Sequence, residues 1–294
     1  MKYKIQFCMI LIALGLAAIP VSGQQQKQPP QYKQQGTPPV EAVKISDHVY
    51  ELRGGSGSNS AFIMTDKEVF IIDGKMSEKS AADMMEAVRS ITDKPVTHIL
   101  LTHSDGDHVN GLTGFPPGLT LIAHKNTKKH MEAANAAQDL NLPLPSLTFT
   151  DTLTFKSGDT TIKMVHFGPA HTDGDAVIYV PVDKVAVIGD LYFSGRDPLI
   201  HLHKNGSSFG LAKTLQAILD LDVDIILSGH AAPAGREDLQ SLLDNIEEKQ
   251  DKVESMIKEG KSLDDIKTAF GLPLTESRWK SLVEVIHIEL KNKK

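Results

Sequence analysis

Thr102-His103-Ser104-Asp105-Gly106-Asp107-His108 packs two imidazoles and two carboxylates into six consecutive positions, 103–108. Ordinary core packing has no use for such a stretch, because each of these groups is costly to bury unpaired. It follows Thr97-His98-Ile99-Leu100-Leu101, an apolar run just after Pro95 that reads as a buried strand. Groups at a strand end sit at the edge of a sheet, where a site opens to solvent. Imidazole and carboxylate at this density point to a metal centre. Side chains two apart in an extended loop point the same way, so His103 and Asp105 can share one ion. Asp107 and His108 are adjacent and diverge if a short helix starts toward Val109-Asn110-Gly111-Leu112; they can serve a second ion. Four ligands for two ions leave both sets incomplete.

The remaining candidates sit in similar settings further along. His171 lies in Gly168-Pro169-Ala170-His171-Thr172-Asp173-Gly174-Asp175. Asp190 ends Val185-Ala186-Val187-Ile188-Gly189-Asp190, and His230 ends Ile225-Ile226-Leu227-Ser228-Gly229-His230. Ligands at the ends of several apolar runs match a site on one rim of a sheet, and Gly189 and Gly229 let the backbone approach it closely.

Working outward, short β-like runs fall at 48–52, 60–64, 68–72, 97–101, 119–123, 148–155, 160–166, 176–180, 184–188 and 224–227. Ala81, Met84, Met85 and Val88 recur at helical spacing, with Ser77 as the cap. Helices are also predicted over 125–137 and 209–221. After Ser228 the pattern is helical: 236–257, 262–270 and 276–291, with Gly271-Leu272-Pro273 as a break. The sum is a mixed α/β domain over residues 40–235 and helices over 236–294 that pack on it.

The beginning reads differently. Lys2 and Lys4 precede an apolar run, Ile5 to Ile19, and Val21-Ser22-Gly23 is a small-residue cleavage site. Residues 1–23 therefore read as a secretory signal peptide, which predicts a periplasmic or secreted protein with no stable membrane insertion after cleavage. Residues 24–39 read as a disordered Gln/Pro-rich linker. Cys8, the only cysteine, lies in the leader, so no disulfide or thiolate chemistry is expected afterwards. The net charge of −6 without a basic cluster disfavours nucleic acid as a partner and leaves a small-molecule substrate. Oligomeric state has no signature in the chain.

At His103, Asp105, Asp107, His108, His171, Asp190 and His230 the chain resembles the metallo-β-lactamase fold superfamily. The resemblance runs from about Val40 to His230. It implies a four-layer αββα sandwich with a C-terminal helical extension and two divalent ions, zinc first, with iron or manganese as alternatives. By resemblance, His103, Asp105 and His171 hold the first ion, Asp107, His108 and His230 the second, and Asp190 bridges them. Asp73, in Ile71-Ile72-Asp73-Gly74, matches an acid that the family places behind the site. The implied reaction is hydrolysis: a water between the ions is deprotonated and attacks an ester, thioester, lactone or amide carbonyl, with Asp107 orienting it and passing a proton on.

Asp105 departs from the pattern, which usually has His there. With two divalent ions, three aspartates and a bridging hydroxide, the formal charge of the core is zero instead of +1. That weakens the pull on the bound water and favours harder ions. It also allows a weak first site. Members resembling flavodiiron proteins carry a carboxylate here, so a di-iron redox protein is one alternative, with no flavodoxin-like domain in the chain to support it. A weak β-lactamase is another, although Phe193 stands where a substrate-clamping Lys is expected. Asp190 as the bridge is similar to that of glyoxalase II-like members, and the segment 189–196 resembles exported hydrolases related to quinoprotein accessory proteins.

Plainer roles stay open for several residues. Asp105 can be a loop acid, Asp190 a cap and Asp73 a turn residue. His201 and His203, in Ile200-His201-Leu202-His203, can contact substrate or form the wet face of a strand. Asn205 is a turn signal with Gly206 and a candidate substrate contact. Trp279 is expected on the apolar face of the tail, packed as core.

Overall fold

The computed structural model describes residues 37–292. The expected signal peptide (1–23) and the linker up to residue 36 lie outside the described residues.

Seven strands form the first sheet in chain order: β1 (Glu41–Lys44), β2 (Val49–Arg53), β3 (Ser60–Met64), β4 (Val69–Ile72), β5 (Val96–Leu100), β6 (Thr120–His124) and β7 (Leu147–Phe149). The first four pair antiparallel, and β4 to β7 pair parallel. Parallel neighbours need long crossovers, and helices supply them. They are α1 (Glu78–Ile91), the short α2 (Gly106–Val109) with a 3-10 turn over Asn110–Gly114, and α3 (Lys125–Gln138). The second sheet contains β8 (Thr152–Ser157), β9 (Thr160–Val165), β10 (Val177–Val180), β11 (Val185–Val187) and β12 (Ile225–Leu227), in the order β12-β11-β10-β9-β8. Helix α4 (Ser208–Leu219) links the parallel pair β11 and β12. The chain ends in α5 (Arg236–Lys258), α6 (Leu263–Ala269) and α7 (Leu282–Asn292).

The β-like run at 148–155 is two strands in different sheets. Thr150 and Asp151 make an exposed polar corner between them, with Thr150 Oγ1 donating to Asp151 at 2.9 Å. Strand β1 has no signal in the sequence: Glu41-Ala42-Val43-Lys44 is a half-exposed edge, recruited by pairing with β2.

Period-two alternation sorts the side chains into layers. Phe70, Ile72, Ile63 and Leu100 face Ile162, Met164, Ile178 and Val187 between the sheets. From the other side of the first sheet, Phe62, Val69 and Ile71 meet Met84, Val88 and Met131 of α1 and α3. Behind the second sheet, Val177, Tyr179 and Ala186 meet Leu211, Leu215, Leu239, Leu243 and Ile286 of α4, α5 and α7. The result is the expected α/β four-layer αββα sandwich, with the C-terminal helices completing the outer core. Ser77 caps α1 as predicted, accepting from the Ser80 N–H. Met84 is fully buried beneath it, and truncating such a side chain to Ala costs about 2–5 kcal/mol.

Candidate metal centre

The C-terminal ends of β4, β5, β11 and β12 and the loop entering β10 meet at one rim. Asp73 follows β4, the His103–His108 loop follows β5, Asp190 follows β11, His230 follows β12 and His171 precedes β10. The rim therefore draws its ligands from both sheets. Two glycines permit the closeness. A Cβ on Gly229 would stand 2.5 Å from Asp190 Oδ1 and 2.7 Å from His108 Cε1. Gly189 has φ +56, and a Cβ there would stand 2.7 Å from Thr102 Oγ1. Neither position tolerates a side chain without displacing a candidate ligand or the residue behind one.

Three imidazoles are anchored from behind by the same device. His171 Nδ1 lies 2.7 Å from the Leu199 carbonyl, which can only accept, so Nδ1 carries the proton. His108 Nδ1 lies 2.8 Å from Asp73 Oδ2. Thr102 Oγ1 donates to that same Asp73 oxygen at 2.7 Å, so toward His103 Nδ1, at 3.0 Å, it must accept. In each ring the proton on Nδ1 points outward and the Nε2 lone pair inward. Such outer anchoring is the mark of metal-binding histidines. Asp73 has φ 59, a left-handed conformation uncommon for a non-glycine residue, which directs both its oxygens at these partners.

The inward atoms form three groups that could hold an ion. Asp105, His171 and His201 make one; His103, His171 and Asp190 converge on one side, and Asp107, His108 and His230 on the other. Asp190 joins them: its Oδ1 is 3.1 Å from His108 Nε2, and its Oδ2 is 3.3 Å from His230 Nε2 and 4.0 Å from His103 Nε2. Asp107 Oδ2 is 3.0 Å from His230 Nε2. Asp105 Oδ2 lies 3.3 Å from His171 Nε2 and 3.9 Å from His103 Nε2. All seven ligands expected from the sequence, and Asp73 behind them, are brought together.

The donor set fits divalent cations. His103 Nε2, His108 Nε2 and Asp190 Oδ1 are buried with no hydrogen-bond partner, which is expensive unless something else satisfies them. Burial would raise the Asp190 carboxyl, yet the charge of His108 and contact with His230 hold it well below the usual range. Burial likewise opposes ionisation of Asp105, and contacts with His171 and His201 overcome it. Contacts with Asp107 and Asp190 push His230 up to about 9. His171 is also raised to about 9, against burial, chiefly by Asp105. The cluster is built to attract positive charge.

His201, His203 and Asn205 separate. His201 is buried, with Nε2 2.7 Å from Asp105 Oδ2. His203 lines the cavity above the centre. Asn205 is a turn residue with φ 54, and its amide donates to Asp173 at 2.8 Å. Sequence reasoning missed Lys204, whose Nζ donates to Asp105 Oδ1 at 2.6 Å. It also misplaced Trp279, which is 44% exposed and not in the core. Trp279 and Arg278 join His203, Met76 and Met131 around a cavity of about 400 Å³ that also touches Asp105 and Asp107. Phe193 stacks on the His230 ring, centroids 5.4 Å apart.

The profile of the Metallo-beta-lactamase superfamily matches residues 53–230. A metallo-beta-lactamase type 2 from Elizabethkingia meningoseptica is 27% identical over 202 residues, covering 66% of this chain and 74% of that protein. The 2,4-dinitroanisole O-demethylase subunit alpha of Nocardioides sp. (strain JS1661) is 24% identical over 178 residues, covering 60% of this chain and 53% of that protein. Among solved structures, a metallo-beta-lactamase from Pontibacter korlensis superposes with a TM-score of 0.60 at 18% identity, covering 70% of this chain and 99% of that one.

Proposed function

Because the chain belongs to the metallo-β-lactamase superfamily, we propose that it is a metal-dependent hydrolase of small carbonyl substrates: esters, thioesters, lactones or amides. The observation that carries this reading is the set of three imidazoles anchored outward through Nδ1, with Nε2 and three carboxylates converging inward. When bound, two divalent cations, zinc in this reading, supply Lewis acidity and bring the pKa of a water toward neutrality.

The chain's own residues do the rest. His103, Asp105 and His171 would hold one cation, Asp107, His108 and His230 the other, with Asp190 between them. Asp107 is the ligand carboxylate most open to the cavity, at 24% side-chain exposure, so it can orient the nucleophile and carry a proton to the leaving group. Met76, Met131 and Leu142 give the cavity an apolar wall, while Trp279 and Arg278 offer a flat face and a cation to the rest of the substrate. Export to the periplasm or outside the cell belongs to the same proposal, on the reading of residues 1–23.

The test is metal analysis of the purified protein followed by a hydrolysis panel of esters, thioesters, lactones and β-lactams. About two zinc ions per chain and turnover of a carbonyl substrate are expected. Asp107→Ala or His171→Ala should abolish that turnover while unfolding stays cooperative. Iron in place of zinc, or full activity in either variant, would overturn the scheme. β-Lactam cleavage is a second reading, favoured by the relatives' names. The stacking of Phe193 on His230 leaves no lysine there to hold a substrate carboxylate.

A further inference from the structure

We propose that Asp105, Lys204 and His201 act as one unit that takes the place of a neutral imidazole at the first cation. The inference rests on reading the cluster as a two-cation centre. With a cation bound, His103 and His171 would each present a neutral ring, and Asp105 would add a negative charge beside them. The structure sets a positive charge directly on it: Lys204 Nζ lies 2.6 Å from Asp105 Oδ1 and 3.1 Å from Ser104 Oγ. The other oxygen, Oδ2, faces His171 and His103. A carboxylate with one oxygen tied to an ammonium and the other turned inward presents one neutralised donor, as an imidazole does.

His201 holds the second oxygen in place. Two atoms bound to one zinc-like ion at about 2.0–2.1 Å in a tetrahedral arrangement lie about 3.3 Å apart. His171 Nε2 and Asp105 Oδ2 have that separation, 3.3 Å, and His103 Nε2 stands wider, at 3.9 Å from the same oxygen. His201 Nε2 is only 2.7 Å from the same oxygen, which is a hydrogen-bond distance. His201 also stands with Asp105 and His171 in a group that could hold an ion; here it takes the part of donor to Asp105, and His103 and His171 remain the imidazoles of the first cation. Its place is fixed by the backbone: the His201 N–H donates to the His171 carbonyl at 2.9 Å. Gly206 lets the loop lie this close, since a Cβ there would stand 2.3 Å from that carbonyl oxygen. Lys204 and His201 are positioning residues, and they reach Asp105 from 99 and 96 positions away.

The experiment is a double-mutant cycle read by metal affinity, using zinc and a competing chelator on the full chain. Wild type should bind two equivalents. Asp105→His alone leaves the Lys204 charge facing a neutral ring, and should weaken one equivalent tenfold or more relative to Asp105→His with Lys204→Met. Asp105→His with Lys204→Arg, which keeps the charge, should bind as poorly as Asp105→His alone. His201→Ala should still bind two equivalents. Equal or tighter binding by Asp105→His than by its Lys204→Met partner overturns the inference, and so does loss of one equivalent in His201→Ala. Fewer than two equivalents in wild type instead overturns the two-cation reading beneath it. Asp105→Asn runs the same cycle if the histidine variant does not fold.

Discussion

Asp73 Oδ2 lies 2.8 Å from His108 Nδ1, and the carboxylate also holds Thr102 by its N–H and hydroxyl at 2.8 and 2.7 Å. One buried acid therefore orients two candidate ligand rings, His108 directly and His103 through Thr102. Removing such an outer partner typically costs 10–100-fold in metal affinity. Asp73→Asn is the sharper variant, because Asn tolerates the left-handed backbone at φ 59. It should lose affinity in that range in a chelator competition, with both equivalents affected. A loss confined to one equivalent would mean that Thr102 orients His103 without Asp73.

Protons and cations compete for the same atoms. His171 and His230 are both pushed up to about 9, His230 chiefly by Asp107 and His171, against burial, by Asp105. A folded pKa above the unfolded value of about 6.5 adds stability that is fully present below 6.5 and lost as pH rises through 9. Metal-stripped protein should thus lose stability from pH 6.5 to 8, by up to about 1.4 kcal/mol per unit from the buried His171 and by less from His230, whose exposure to solvent screens its contacts. Above 8 the trend is opposed by Lys75, which burial brings down to about 8. Urea unfolding of chelator-treated protein at pH 6.5 and 8 checks this; a flat or rising profile contradicts it.

Gly229→Ala tests the tightness of the rim. The added methyl would stand 2.5 Å from Asp190 Oδ1 and 2.7 Å from His108 Cε1, and both residues are buried and held. Metal affinity should fall at least tenfold, while the transition on heating stays cooperative. Metal binding at wild-type strength would show that the rim can yield.

Trp279→Ala probes the cavity mouth. The side chain is 44% exposed and its ring lies 5.1 Å from His201, so it contributes little to the core. Exposed changes of this kind usually alter stability by less than about 0.5 kcal/mol. The variant should keep its metal and its Tm and raise KM for the best substrate of the panel several-fold. An unchanged KM would exclude Trp279 from the substrate wall.

Much of this was legible in the chain. Ligand residues at strand ends carry a strong local signal, because imidazoles and acids beside glycine at the close of an apolar run have no role in packing. His171, Asp190 and His230 were readable for that reason, and so was the Ser77-capped helix with its Met84 face. Lys204 was not. A lysine in a loop is usually a solvated charge, and nothing local ties it to an acid 99 positions away. Trp279 misled because aromatic residues near helices usually pack inward. Here the helix begins only at Leu282, and the preceding segment turns the ring toward the cavity. The corner at Thr150-Asp151 was hidden because both flanking strands share one continuous β-like pattern.

The rim draws His103, Asp107 and His108 from one sheet and His171, Asp190 and His230 from the other. Any cation seated among them is a rivet driven through both halves of the sandwich. Starvation for metal would then do more than silence an active site: it would let the halves part more readily, and shorten the protein's life among proteases.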